Sequence, residues 1–120
     1  MVMRRWIAAL AMSIAVTAPL LSSIALAAEH TVVLHHMELD KIEGEMRVGD
    51  VVTFDNRSDM AHNLYITYSD GTVDNLDTQV PGVKRSLTLR VAGPTVIRCW
   101  IHPIIKSELV ILDEEGDAGR

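Results

Sequence analysis

Asp50-Val51-Val52-Thr53-Phe54-Asp55-Asn56 alternates residue by residue: Val52 and Phe54 fall on one face, Thr53 and Asp55 on the other. A period of two is the signature of a half-buried strand. Outward from this stretch the same texture recurs. His30 to Leu39 forms an earlier run. His62 to Tyr68 follows, closed by the turn signal Ser69-Asp70-Gly71. Ser86 to Val91 puts Leu87, Leu89 and Val91 on one side. Thr95 to Cys99 and Glu108 to Leu112 complete the series, and Pro81-Gly82 and Gly93-Pro94 punctuate it. After residue 28 nothing has capped helical periodicity. Short strands separated by turn residues predict an all-β, antiparallel-rich sandwich or barrel.

The chain has 120 residues, which is room for one small domain. Met1 to Arg5 carries Arg4 and Arg5, and Trp6 to Leu21 is apolar apart from Ser13 and Thr17. Ser22 to Ala28 is rich in small residues, with Ala25 and Ala27 spaced as the −3 and −1 positions of a cleavage site. These are the three regions of a secretory signal peptide, residues 1–27, cut after Ala27. An uncleaved membrane anchor is the alternative reading. Removing residues 1–27 of 120 leaves a domain over 28–112 and an acidic tail over 113–120 that is expected to fray. The exported domain is expected in the periplasm, with no membrane insertion once the leader is gone.

Charge and cysteine count narrow the function. The chain holds 11 Lys+Arg against 16 Asp+Glu, net −5, which argues against a nucleic-acid binder. Aromatic residues are only 4%, so the core is aliphatic. The single cysteine, Cys99, excludes an internal disulfide framework, a four-cysteine zinc site, a self-held iron–sulfur cluster and a two-cysteine dinuclear copper centre. There is no Ser-His-Asp pattern, phosphate loop or suggestively spaced carboxylate pair, and the chain is not expected to be an enzyme.

The chemistry concentrates in Cys99-Trp100-Ile101-His102 and in His62, far upstream. Cys99 ends one strand, His102 lies in the loop before the last strand, and His62 opens a middle strand. Strand ends at one pole of a sandwich can converge. One thiolate and two imidazoles are the trigonal donor set of a mononuclear blue-copper site. The thiolate is a soft donor that favours Cu(I), and imidazole suits both oxidation states.

The chain resembles the cupredoxins, the small blue-copper proteins of the amicyanin, pseudoazurin and plastocyanin group. The matching residues are Val48 to Asn56, Met60-Ala61-His62-Asn63, Pro81-Gly82, and Gly93 six residues before Cys99-Trp100-Ile101-His102-Pro103. The resemblance runs from about His30 to Leu112 and implies a Greek-key sandwich of about seven to eight strands holding one copper. It assigns His62, Cys99 and His102 as ligands. It implies that the Asn63 backbone amide hydrogen-bonds the sulfur and that the Asn63 side chain ties the two ligand loops together. One position departs from the pattern. Where the amicyanin-like loop has an axial methionine, three residues after the second histidine, this chain has Ile105. Isoleucine donates nothing, so a raised reduction potential is expected; a decayed site that binds copper poorly is the competing reading.

Other candidates are Met60, as a substitute axial donor or as packing, and His35-His36-Met37 with His30 nearby. Solvated imidazoles are the expectation for that cluster, and a weak accessory copper site is the alternative. The acidic residues along Glu38 to Asp77 read mainly as a solvated face able to steer a basic partner. The function expected is one-electron transfer by a monomer between redox proteins such as a cytochrome or a periplasmic oxidoreductase. The alternatives are a periplasmic copper-handling protein (chaperone, buffer or resistance factor) and a metal-free cupredoxin-like binding module.

Overall fold

The structure is a computed structural model and describes residues 10–20 and 26–113. The rest of the expected leader, 1–9 and 21–25, and tail residues 114–120 lie outside the described residues. Residues 10–20 are exposed throughout. Among the described residues no helix is long and apolar enough to cross a membrane.

Eight strands follow one another: β1 (Glu29–Leu34), β2 (Met46–Arg47), β3 (Val51–Asn56), β4 (His62–Thr67), β5 (Val73–Gln79), β6 (Lys84–Thr88), β7 (Gly93–Cys99) and β8 (Lys106–Leu112). They form a three-stranded sheet, β1-β3-β6, and a five-stranded sheet, β2-β8-β7-β4-β5. β1 runs parallel to β3 and β2 parallel to β8, while the remaining pairs are antiparallel. The fold is the all-β sandwich expected from the alternation.

The inward faces make the core. Val32 and Leu34 of β1 and Val52 and Phe54 of β3 meet Leu64 and Ile66 of β4, Ile97 of β7 and Ile111 of β8. Burying each such side chain contributes roughly 1.5–3 kcal/mol. Phe54 is the only phenylalanine and is fully buried, so the rest of the packing is mostly aliphatic.

Several element boundaries differ from the sequence reading. The His30–Leu39 run ends as a strand at Leu34, because the chain bends at His36-Met37 and folds back to bridge Leu34 with Leu39. Strand β6 is shifted to Lys84–Thr88, set by its register on β3. Strand β5 was not legible: Val73-Asp74-Asn75-Leu76-Asp77-Thr78-Gln79 is an edge strand with only Leu76 and Gln79 buried. Polar edge strands of this kind protect a sheet from pairing with other chains. A register shift between Asn63 and Tyr65 and a positive φ of 60° at Asp77 mark a bulge there. Two residues, β2, are too few to leave a pattern.

Gly93 opens β7 with φ +114°, and a Cβ there would lie 2.8 Å from both Cβ and Oγ of Ser69. Glycine alone lets the turn after β4, whose Ser69 hydroxyl donates to Ala92 O at 2.6 Å, close against the start of the cysteine strand.

Candidate metal centre

In β4, His62, Leu64 and Ile66 are buried while the alternate residues Asn63, Tyr65 and Thr67 are not. His62 thus stands at a core-facing position of β4. In β7 the buried series is Gly93, Thr95, Ile97 and Cys99, which turns the Cys99 side chain inward. Leu64 is in register with Cys99, so the start of β4 lies beside the end of β7. A turn with Ile105 N donating to His102 O at 3.0 Å then brings His102 back over the sulfur.

The three side chains meet. Cys99 Sγ lies 3.9 Å from His62 Nδ1 and 3.8 Å from His102 Nδ1. All three donor atoms lie within 4.8 Å of one another. With bond lengths of about 2.3 Å to sulfur and about 2.0 Å to nitrogen, a trigonal site separates sulfur from nitrogen by about 3.7 Å. The observed spacings fit a single ion. His62 and Cys99 are buried and His102 is half-buried. The two imidazole rings are tilted by 58° with centroids 4.9 Å apart. Burial pushes His62 below the ordinary histidine range, and the nearby His102 adds to this, which keeps a lone pair available.

Hydrogen bonds fix this geometry. Asn63 N donates to Cys99 Sγ at 3.4 Å, and Trp100 N donates to Asn63 O at 2.9 Å. The β4 and β7 ends are therefore tied through the backbone of Asn63. The Asn63 side-chain oxygen makes no such tie: Oδ1 is buried without a partner among the described residues. The tautomer that leaves His62 Nδ1 free carries its hydrogen on Nε2, which donates to Ser58 Oγ at 3.0 Å. Ser58 Oγ in turn lies 2.7 Å from Asn56 Oδ1, toward which its hydroxyl donates. Asn56 Nδ2 donates to Met60 O at 2.9 Å and Gln79 O at 2.8 Å, and Gln79 Nε2 donates to Phe54 O and Val83 O. His62, Asn56 and Gln79 are all fully buried. Partners of this kind hold a ligating imidazole in one tautomer and orientation.

The sequence reading missed this network. A signal existed for Asn56, which shares the parity of Val52 and Phe54 and so places an amide where alternation calls for a hydrocarbon. Ser58, in the loop, left none.

The other candidates are dispersed. Ile105 is buried beside the turn, 2% exposed. Met60 takes part through its carbonyl, as acceptor from Asn56. His35 pairs with Asp40 and His36 with Asp59, both exposed, and Met37 is 40% exposed. His35 and His36 lie beyond the end of β1. His30 is not a solvated imidazole: it is half-buried, with Nε2 2.9 Å from Asp50 Oδ2. The acidic run is not wholly a solvated face either, since Asp50 and Asp55 are buried, Asp55 accepting from Arg57 Nε at 2.9 Å. Beside the centre, the exposed Trp100 ring stacks on Tyr65 at 3.9 Å between centroids and donates from Nε1 to Asn75 Oδ1.

The fold and the His–Cys–His group define a protein of the cupredoxin class. Solved structures agree: a reduced, Cu(I) form of an amicyanin mutant aligns with a TM-score of 0.60 at 26% identity, over 74% of this chain and 86% of that one. An oxidized amicyanin mutant aligns with a TM-score of 0.59 at 26% identity, over the same shares. No family model matches the chain. The methylamine utilization protein MauL of Methylorubrum extorquens is 44% identical over 108 residues, 90% of this chain and 95% of the relative. MauL of Methylophilus methylotrophus is 40% identical over 84 residues, 68% of this chain and 48% of that protein. The chain belongs to the MauL family.

Proposed function

We propose that the chain is an exported one-electron carrier holding a single copper ion between His62 Nδ1, Cys99 Sγ and His102 Nδ1. The observation that carries this reading is the meeting of one sulfur and two ring nitrogens at 3.8 and 3.9 Å. The ion supplies reversible one-electron chemistry between Cu(I) and Cu(II). The residues supply the rest. The hydrogen bonds on His62 and Cys99 hold the donors in place, so little must move when the charge changes. Ile105, buried three residues after His102, would offer a bound ion hydrocarbon rather than a donor. His102 is half-buried, amid exposed Ile101, Pro103 and Ile104, and its ring edge is the electron port. Ile104 is 74% exposed and suits a small, rapidly exchanging contact with a redox protein. Nothing in this scheme makes or breaks a bond of a substrate, so the role is that of a carrier rather than an enzyme.

The relatives' name supports methylamine utilization as the setting. The partner class proposed is a cytochrome or a periplasmic oxidoreductase. Residues 1–27 act as the export leader, 28–112 as the periplasmic domain and 113–120 as an acidic tail.

The second reading, copper handling, draws its support from Ile105, because a site without an axial donor also suits storage of Cu(I). One experiment separates the readings. Purified protein receives one equivalent of Cu(II), and the visible spectrum and a voltammogram are recorded. Electron transfer predicts intense thiolate-to-copper absorption, lost in Cys99→Ser, and a reversible wave. A colourless product refutes the copper site. Colour without reversible exchange favours handling.

A further inference from the structure

We propose that Asp50 is the receptor for the α-ammonium group released at Ala28 when the leader is removed, so that processing completes an ion cluster around a buried carboxylate. This rests on the reading of residues 1–27 as a cleaved leader and adds a site to it. Asp50 is 4% exposed, and its carboxylate is fully engaged. Oδ1 accepts from Ala28 N at 3.0 Å. Oδ2 accepts from Arg47 N at 3.0 Å and lies 2.9 Å from His30 Nε2. Ala28 is gripped on its other side as well, its carbonyl accepting from Val51 N at 3.0 Å. The two residues before it are exposed: Leu26 is 90% exposed, and Ala27 is exposed too.

The residue that the sequence pattern marks as the first of the mature chain is thus the one whose nitrogen touches a buried carboxylate. Hydrolysis of the Ala27–Ala28 bond by a signal peptidase adds hydroxide to the Ala27 carbonyl carbon and hydrogen to the Ala28 nitrogen. That amine takes a further proton from water at neutral pH. A neutral amide donor becomes a cation at the same place. A buried carboxylate is costly unless it is paired and hydrogen-bonded, and among the described residues the only side chain at hydrogen-bond distance from this one is the imidazole of His30. The new charge lies at the head of β1, whose pairing with β3 begins at Glu29 and Val51. Ser23 and Ala25 also fit the small-residue spacing, but a cut after Ala25 would leave Leu26 and Ala27 dangling and the amine away from Asp50.

The test has two parts. The full chain is expressed with export in a Gram-negative host, and the intact mass of the exported protein is measured. A start at Ala28 is expected; any other start overturns the processing reading and the proposal with it. Thermal melts then compare the Ala28 chain with the same chain carrying one extra glycine before Ala28, each with Asp50 and with Asp50→Asn. The extension should lower the melting temperature by about 5 °C, the shift expected for a single such interaction in a domain of this size. In Asp50→Asn it should have little effect. A start at Ala28 with no penalty for the glycine, or an equal penalty in Asp50→Asn, overturns the ion cluster alone. Should Asp50→Asn fail to fold, the Nα-acetylated Ala28 chain serves as the second variant. It keeps every side chain and an N–H at Ala28 but removes the charge, and melting no lower than the free-amine chain overturns the proposal.

Discussion

At the proposed copper site, Ile105 is the residue expected to set the electronic character. It is 2% exposed, three residues after His102, and its side chain has no lone pair. Losing an axial donor and gaining hydrocarbon both disfavour the doubly charged ion. Ile105→Met is expected to lower the midpoint potential measured by voltammetry; an unchanged or higher value would refute this role. The three proposed ligands were legible at this scale because the chain has a single cysteine and the chemistry of thiolate and imidazole is narrow. Ser58 and Gln79 were not. Both are common polar residues whose roles come only from what the folded chain places against them.

Among the elements, β4 and β5 are joined beyond the backbone ladder. Tyr68 hydroxyl donates to Asp74 Oδ2 at 2.8 Å, Arg90 Nε donates to the same oxygen at 2.9 Å, and the Arg90 guanidinium lies 4.8 Å from the Tyr68 ring centroid. Burial, and then the Asp74 carboxylate, push the Tyr68 phenol up to about 12, with Arg90 opposing. The unfolded phenol ionises near 10. The neutral phenol is therefore favoured by the fold, and its contribution is intact below about pH 10 and lost as pH rises towards 12. Melting temperature against pH should fall over that window, and Tyr68→Phe should flatten the fall; an unchanged profile in the variant would exclude this cluster as its source. Strands β3, β4 and β7 were readable because alternation and turn residues bound them. Edge strand β5 was not: it buries little, carries Asp74, Asn75 and Asp77, and owes its strand conformation to pairing with β4.

For the whole molecule, the proposed site joins β4, β7 and the loop before β8, so an ion there would cross-link the five-stranded sheet at one end. A ligand that binds only the folded state stabilises it by mass action, about 2.7 kcal/mol at a hundred times its dissociation constant. In a domain of this size that corresponds to a rise of about 10 °C or more. Copper-loaded protein is expected to melt higher by this order and to return to the copper-free value with a chelator; equal melting curves would argue against a site formed in the folded state. By itself the sequence determined the all-β class and the donor types, because strand alternation and the chemistry of thiolate and imidazole are local properties. It also marked the expected cleavage point. Only the tertiary structure decided that sulfur and nitrogens meet, that the Asn63 backbone ties β4 to β7, and that Ala28 rests on Asp50. Those are contacts between residues tens of positions apart, set by sheet register and by which pole of the sandwich each strand end reaches.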